Sequence, residues 1–294
     1  FLFQLSMHPN IVPVWSKMAN FKGHTANSIR DVWQHLQKAQ GSSKPQFVFL
    51  NLMETHMPYA PPDTFINKFM PYFKESREAR DIIRRYNAEG YRWLFPIEEP
   101  LSELEETVFN DIYDTEVNYQ DHLLEQLLEF LSQAGDTLTI IVADHGDGIG
   151  EHSFMGHSFV AYQELVHVPL IIKFPEGMGR GQRITETVST RRIFHTCLAA
   201  ANVQVFETAY RPPTDVRQLT LAQTVRGNDP EHGTVFVEAY PPTTIISLME
   251  KHAPQLIDAF YCQRSRWAAY QNQYKLVRLE GVQDELFDLS HDPA

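Results

Sequence analysis

The sequence predicts an α/β fold with a mostly parallel sheet and a small antiparallel sheet in its C-terminal part. Two observations support this prediction. Apolar, strand-like segments alternate with helical segments over the first two thirds of the chain, which favours parallel pairing through right-handed crossovers. In the last third, short strand-like segments are separated by turns, which is typical of an antiparallel sheet.

The alternating elements of the first part have recognisable boundaries. Ser102 and Glu105 form a capping box at the beginning of a long amphipathic segment that continues to Gly135. Pro169 is compatible with a strand because it lies at the beginning of one. In chain order we predict helix 27–40, strand 47–53, helix 102–135, strand 137–142, strand 168–174 and helix 193–201.

The predicted elements become shorter towards the C-terminus. We predict strands at 234–239, 267–271, 274–279 and 285–289, and a helical segment at 245–260. We therefore divide the chain into an α/β domain, residues 1–214, and a small α+β subdomain with an antiparallel sheet, residues 215–294.

The composition excludes several classes of protein. A chain of 294 residues with 43% hydrophobic content can bury a sizeable core, and a formal net charge of -12 argues against nucleic-acid binding. Cys197 and Cys262 are too few for a disulfide framework, which favours a reducing, cytoplasmic compartment. No apolar run is long enough to span a bilayer. The chain opens on Phe1 rather than Met, which leaves a preceding signal peptide open.

Residues 136–158, DTLTIIVADHGDGIGEHSFMGHS, place polar side chains at the end of a predicted strand. The apolar run 137–142 has the length of a strand covered on both faces, and it ends in Asp144 and His145. Because ligands of α/β sheets lie at the carboxyl ends of strands, this carboxylate and imidazole are placed for chemistry. The alternatives are that Asp144 caps the following turn and that His145 is a hydrogen-bonded structural imidazole.

Further polar residues follow in the same glycine-rich loop. His157 is a third candidate for the site, with a surface-loop histidine as its alternative. We expect Asp147 and His152 to support other ligands or to face solvent.

A second predicted strand, 47–53, also runs directly into polar residues. His56 lies in this segment, and the prolines at positions 58, 61 and 62 keep the following loop out of helical geometry. His56 is therefore a candidate site residue, and the alternative is that it merely holds the proline-rich loop in place.

Four segments of the chain, in this order, resemble the sulfatases of the alkaline phosphatase superfamily. Residues 47–62, FVFLNLMETHMPYAPP, resemble the sulfatase strand and its His-x-Pro-Tyr loop, and residues 113–147 resemble the family's helix, Gly-Asp-Thr turn and Asp-His-Gly strand. Residues 150–172 resemble the next loop and strand, and residues 267–293 resemble the closing hairpin. The resemblance implies an alkaline-phosphatase-like α/β/α sandwich and, for the full-length protein, hydrolysis of sulfuric esters.

The resemblance also implies roles for individual residues. Asp144 and His145 would be adjacent ligands of one divalent metal ion, for which calcium is favoured and magnesium or manganese are alternatives. His56 would contact the transferred group or protonate the leaving oxygen, and His157 would contact the sulfate. Which of the two histidines is the acid stays open.

The family's nucleophile signature is not recognisable in this sequence. The resemblance implies a Cys or Ser, modified to formylglycine, near the start of the enzyme together with two acidic metal ligands, and we find none of them. Cys262 begins a similar pattern, but it follows the Asp-His-Gly strand, so we predict an ordinary buried cysteine. We therefore expect this chain to be the C-terminal portion of a sulfatase that is inactive by itself.

Two alternatives to a sulfatase stay open. One is a phosphoesterase, phosphonate hydrolase or phosphoglycerol transferase of the same superfamily, and the other is a catalytically inactive truncated homologue. For the sulfatase, the expected partner is a small-molecule or sugar sulfate ester, with no nucleic acid and no membrane span.

Overall fold

The computed structural model describes residues 25–134, 136–203 and 217–291, and the chain divides into two units. The first unit is formed by the described parts of Phe1–Gln133, Asp147–Ser158 and Pro242–Cys262. The second is formed by the described parts of Ala134–Gly146, Phe159–Pro241 and Gln263–Ala294. The predicted boundary between residues 214 and 215 lies outside the described residues.

The described elements alternate between helices and short strands. The helices are α1 (Thr25–Ala39), α2 (Asp63–Phe69), α3 (Arg77–Ala88), α4 (Glu103–Gln133), α5 (Gln163–Val166), α6 (Arg192–Ala200), α7 (Leu221–Val225), α8 (Thr243–His252) and α9 (Gln255–Ala259). The strands are β1 (Thr139–Val142), β2 (Gly148–Ile149), β3 (Met155–Gly156), β4 (Leu170–Lys173), β5 (Val235–Ala239), β6 (Arg266–Gln271), β7 (Tyr274–Leu279) and β8 (Glu285–Asp288). Single 3₁₀ turns lie at Pro71–Lys74, Gly90–Trp93, Glu151–Ser153 and Pro175–Gly177.

Helix α4 organises the first unit, and its predicted beginning is confirmed. The backbone N–H of Ser102 donates to Glu105 Oε2 at 3.0 Å, and the N–H of Glu105 donates to Ser102 Oγ at 3.3 Å. The apolar face of α4 buries Val108, Phe109 and Ile112 against the core of this unit. Helices α1, α2 and α3 pack on α4. The predicted C-terminal residue of this helix, Gly135, lies outside the described residues.

Aromatic rings fill the core of the first unit around Trp93. The ring centroid of Trp93 lies 5.0 Å from that of Tyr59, 4.9 Å from that of Tyr86 and 5.2 Å from that of Phe109, all in edge-on arrangements. Trp93 and Tyr59 are both buried. The loop that carries Tyr59 is thereby attached to the core of this unit through its aromatic side chain.

The predicted strand 47–53 is wrong in the structure, where these residues have no regular secondary structure. Phe47 and Phe49 are each 81% exposed. A strand requires a partner for its backbone N–H and C=O groups, and no described strand pairs with this segment.

The predicted parallel pairing is also absent from the described strands, all of whose pairs are antiparallel. Strand β1 pairs with β4 in the register Thr139↔Lys173 to Val142↔Leu170. Parallel strands need a crossover that returns the chain to the same edge of the sheet, which is usually a helix, whereas a single helical turn, α5, leads into β4. Val142 and Ile171 are exposed, so this pair is not covered on both faces as predicted.

The four C-terminal strands are confirmed to within one residue at each boundary. They form one antiparallel sheet in the order β5-β6-β7-β8. Alternate side chains, among them Val235, Ala268 and Val277, form the core of this sheet's buried face. The predicted helix 245–260 is two helices, α8 and α9, because Pro254 lies between them and cannot continue a helix.

The remaining observations concern the two cysteines and the possibility of membrane-spanning helices. Cys262 is buried as expected, whereas Cys197 is partly exposed. None of the described helices combines the length and the apolar character needed to cross a membrane.

Candidate active site

The loop that carries His56 lies in the first unit and has no regular secondary structure. The N–H of His56 donates to the carbonyl oxygen of Met53 at 3.1 Å, and the following Met57–Pro58 bond is cis. At the beginning of the loop, the buried carboxylate of Glu54 accepts a hydrogen bond of 2.6 Å from Thr25 Oγ1. Local turns and buried side chains thus hold this loop, which has no ladder of strand hydrogen bonds.

A hairpin of two short strands in the same unit, β2 and β3, places Asp147 beside His157. Strands β2 and β3 pair with Gly148 opposite Gly156, so the residues that flank them, Asp147 and His157, face one another. Gly156 has a φ of 64°, and a Cβ at this position would lie 2.1 Å from the carbonyl oxygen of Trp93. Only glycine fits this approach of the hairpin to the aromatic core.

Hydrogen bonds join Tyr59, Asp147 and His157 into one chain. Tyr59 Oη donates to Asp147 Oδ2 at 2.8 Å, and His157 Nδ1 is 2.8 Å from Asp147 Oδ1. The side chain of Asp147 is only 5% exposed, so both contacts are shielded from water. Burial, followed by the negative charge of Asp147, raises the pKa of Tyr59 well above its ordinary value, which keeps its hydroxyl a donor.

His56 and His157 lie side by side. Their ring centroids are 5.0 Å apart and the ring planes are inclined by 59°. The structure therefore brings together the two histidines that the sequence predicted for the substrate's transferred group.

Asp144 and His145 follow strand β1 and belong to the second unit. The N–H of His145 donates to Asp144 Oδ1 at 3.1 Å, and His145 Nε2 is 3.8 Å from Asp144 Oδ2. The next residue, Gly146, is tightly enclosed, since a Cβ there would lie 1.9 Å from the carbonyl oxygen of Glu164. Asp144 and His145 therefore follow the end of strand β1, next to a backbone that is tightly enclosed at Gly146.

The donor set at Asp144 and His145 fits a divalent cation. With ligand distances of about 2.0–2.6 Å, two atoms bound to one ion lie no more than about 5 Å apart, a separation that the 3.8 Å distance satisfies. The side chain of Asp144 is 89% exposed and so accessible to an ion. The carboxylate suits calcium, magnesium or manganese, whereas the imidazole suits zinc, copper, iron or nickel, so this pair of donors does not select one ion by itself.

The three histidines that we singled out from the sequence each have Nδ1 next to an oxygen atom. The partners are the carbonyl oxygen of Met57 for His56, the carbonyl oxygen of Gly146 at 2.9 Å for His145, and the carboxylate of Asp147 for His157. A carbonyl or carboxylate oxygen only accepts, so each of these contacts is a hydrogen bond when Nδ1 of the ring carries the proton. In this arrangement Nε2 is the atom of each ring that would bind a metal ion or take part in proton transfer.

The role of Asp147 was only partly predicted from the sequence. We expected it to support other groups or to face solvent, and the structure places it almost completely inside the protein, where it supports His157. The partnership with Tyr59 was missed, because the two residues are 88 positions apart. Tyr59 directly follows Pro58 in the loop of His56, which was the only sequence signal for it. His152 is exposed.

Comparisons with known proteins agree with this architecture. The family model described as Sulfatase matches residues 6–203. The uncharacterized sulfatase YidJ of Escherichia coli (strain K12) is 22% identical over 172 residues, which cover 58% of this chain and 34% of that protein. Phosphoethanolamine transferase EptA of Helicobacter pylori is 29% identical over 112 residues, which cover 35% of this chain and 22% of that protein.

Solved structures show the same fold. The phosphonate monoester hydrolase of Agrobacterium radiobacter superposes with a TM-score of 0.64 at 19% identity, covering 92% of this chain and 55% of that one. The structure titled Ps i-CgsB in complex with k-i-k-neocarrahexaose gives a TM-score of 0.51 at 16% identity, covering 92% of this chain and 49% of that one. The predicted α/β, alkaline-phosphatase-like fold with a small C-terminal antiparallel sheet is confirmed.

The chain spans about half the length of these solved structures and about a third or less of the curated relatives. The activity, substrates and partners of the complete protein are therefore matters of proposal. The family itself is shown, because its model matches most of the chain, and the chain belongs to the sulfatase family.

Proposed function

We propose that the complete protein hydrolyses sulfate esters at a site that includes His56 and His157. The observation that supports this most strongly is the chain of hydrogen bonds from Tyr59 through Asp147 to His157, with His56 beside it. A buried carboxylate that holds one imidazole next to a second imidazole is suited to an anionic ester, because the pair can bind the anion and donate a proton.

In this proposal one of the two histidines binds the anion and the other donates a proton. Departure of an alcohol from sulfur leaves negative charge on the leaving oxygen, and an imidazolium within reach can neutralise it by donating a proton. Asp147 orients the ring of His157 through its contact with Nδ1. Either histidine can be the acid in this proposal, since the two rings lie side by side.

Asp144 and His145 are the proposed ligands of one divalent ion, with calcium favoured over magnesium and manganese. When bound, such an ion polarises the ester oxygens and lowers the pKa of a nucleophile. The contact between His145 Nδ1 and the Gly146 carbonyl supports the ligand role, because metal-binding histidines usually hold their other ring nitrogen on such an acceptor. A formylglycine nucleophile belongs to the same proposal for the complete protein.

Phosphonate or phosphate ester cleavage is the second candidate. It is supported by the similarity to a phosphonate monoester hydrolase and to a phosphoethanolamine transferase. Both reactions place charge on a small tetrahedral anion, so the same histidines and metal ligands would serve either one. Among proteins of this fold, one structure contains k-i-k-neocarrahexaose, which makes sugar esters one substrate class to test beside small-molecule esters.

Parallel assays of the complete, purified protein test the proposal. Its turnover of 4-nitrophenyl sulfate, 4-nitrophenyl phosphate and phenyl 4-nitrophenylphosphonate is measured with and without added calcium, beside the Asp144→Ala variant. We expect the sulfate ester to react fastest and Asp144→Ala to abolish the dependence on metal. Faster turnover of a phosphorus ester would contradict the sulfatase assignment, and no turnover of any of the three would contradict the enzymatic proposal.

A further inference from the structure

Helix α4 carries a carboxylate at a position where its apolar face would be expected to continue. The buried positions of this helix are Val108, Phe109, Ile112, Thr115, Glu116 and Leu127. Glu116 is 1% exposed. Burying a carboxylate is costly, and an apolar side chain would pack here without that cost, so a buried glutamate at this position requires a partner that compensates for it.

Glu116 has a hydrogen-bond partner in the backbone of the loop that carries His56. Glu116 Oε1 accepts a hydrogen bond of 2.7 Å from the N–H of Ala60, which is 56 positions away in the sequence. From helix α3, Asn87 Nδ2 donates to the carbonyl oxygen of Tyr59 at 2.8 Å. Two helices therefore hold the carbonyl oxygen and the N–H of a single peptide group, the one that joins Tyr59 to Ala60.

This attachment is well placed to control the position of the site. Tyr59 is the residue whose hydroxyl donates to Asp147, and Asp147 in turn holds His157. His56 lies three residues before Tyr59 in the same irregular loop, which has no strand ladder of its own. Because catalytic groups must be held within about 0.5 Å of their productive positions, a loop of this kind needs fixed backbone contacts.

We propose that Glu116 is a positioning residue, whose buried carboxylate fixes the backbone at Ala60 and so the placement of Tyr59 and His56. The inference rests on the proposed function. It predicts that loss of the acceptor oxygen lowers kcat by about 10- to 100-fold with little change in KM. Displacement of a catalytic group by about 1 Å lowers the rate by an amount of this size.

The test compares two substitutions of Glu116 in the complete protein with 4-nitrophenyl sulfate and 4-nitrophenyl phosphate as substrates. Glu116→Gln keeps an oxygen acceptor and loses the charge, whereas Glu116→Leu fills a similar volume without an acceptor. We expect Glu116→Gln to retain kcat within about 3-fold and Glu116→Leu to show the full loss, while its urea midpoint stays close to wild type because the costly buried charge is removed.

Tyr72→Phe is the matched control. It removes a 2.8 Å hydrogen bond between Tyr72 Oη and Asp111 Oδ2, which also attaches α4 to a neighbouring segment. We expect this variant to leave kcat unchanged. A loss equal to that of Glu116→Leu would overturn the positioning role, because it would show a general sensitivity to the packing of this helix.

One measurement on the wild-type protein and one on the Glu116→Leu variant complete the test. Hydrogen exchange of the wild-type protein reports on Ala60 directly: a protected Ala60 amide supports the contact, and a rapidly exchanging one overturns the inference. A folded Glu116→Leu variant with wild-type kcat also overturns it. Absence of any ester turnover in the wild type contradicts the proposed function instead, and the exchange measurement still decides whether Glu116 holds the loop.

Discussion

Replacement of Asp147 tests how far the reaction depends on the orientation of His157. The carboxylate accepts from Tyr59 Oη and from His157 Nδ1, each at 2.8 Å, with a side chain that is 5% exposed. Asp147→Ala removes both contacts. Asp147→Asn keeps an oxygen that can face His157 and loses the negative charge.

The size of each effect follows from the kind of bond that is lost. A hydrogen bond to a charged group contributes about 1.5–3 kcal/mol, compared with about 0.5–1.5 kcal/mol for a neutral one. Since about 1.4 kcal/mol corresponds to a tenfold change in rate, Asp147→Ala should lower kcat/KM by about 10- to 150-fold. Asp147→Asn loses only the difference between the two kinds of bond, so we expect a reduction of about 5- to 10-fold.

The assay is the steady-state hydrolysis of 4-nitrophenyl sulfate by the complete protein and its variants. Asp111→Asn is the matched control, because Asp111 also accepts a 2.8 Å hydrogen bond from a tyrosine, Tyr72, outside the candidate site. The reasoning would be refuted if Asp147→Ala retained wild-type kcat/KM, or if Asp111→Asn lost as much activity as Asp147→Asn.

Three further predictions concern stability and are measured by urea unfolding. Tyr59→Phe removes the donor to Asp147 and should lower the free energy of unfolding by about 1–3 kcal/mol; no change would show that this bond contributes nothing. Arg192→Met leaves the carboxylate of Asp229 without its buried guanidinium partner and should cost about 3–5 kcal/mol, and a cost below about 1 kcal/mol would contradict this. Burial lowers the pKa of Lys275 from its usual 10.5 to about 8 in the folded protein. Between these two pH values the unfolded chain keeps this proton and the folded protein loses it. The free energy of unfolding should therefore rise as the pH increases from about 8 to 10.5. Lys275→Met should stabilise the protein at pH 7 and remove this rise, and an unchanged pH profile would refute the explanation.

Elements with strong local signals were predictable from the sequence. Tyr274–Leu279 was predicted with its correct bounds, because alternating side chains lie between two turns. The beginning of the long helix was predictable because Ser102 and Glu105 satisfy each other's backbone groups within four residues. Such signals do not require knowledge of the rest of the fold.

The errors arose where structure depends on distant partners. Residues 47–53 have the composition of a strand, but strand geometry also requires a neighbour, which local composition does not supply. The antiparallel direction of β1 and β4 depends on the path of the chain between them and not on the residues of either strand.

The candidate site shows the same division. We proposed His56, Asp144, His145 and His157 from motifs, whereas the contact between Tyr59 and Asp147 was missed, because these two residues are 88 positions apart. Glu116 had one usable signal, a carboxylate within an apolar helical face. The roles of the four predicted residues, like the cytoplasmic compartment, stay predictions until the experiments above are done.

The central claim is that His56 and His157 act on one ester, with one of them donating a proton to the leaving oxygen. The most direct test is the ratio of kcat/KM for phenyl sulfate to that for 4-nitrophenyl sulfate, measured for the complete protein, His56→Ala and His157→Ala. A poor leaving group needs the acid more than a good one, so one of the two variants should lose much more activity on phenyl sulfate. If both variants lost equal activity on the two esters, or none on either, the claim would be contradicted.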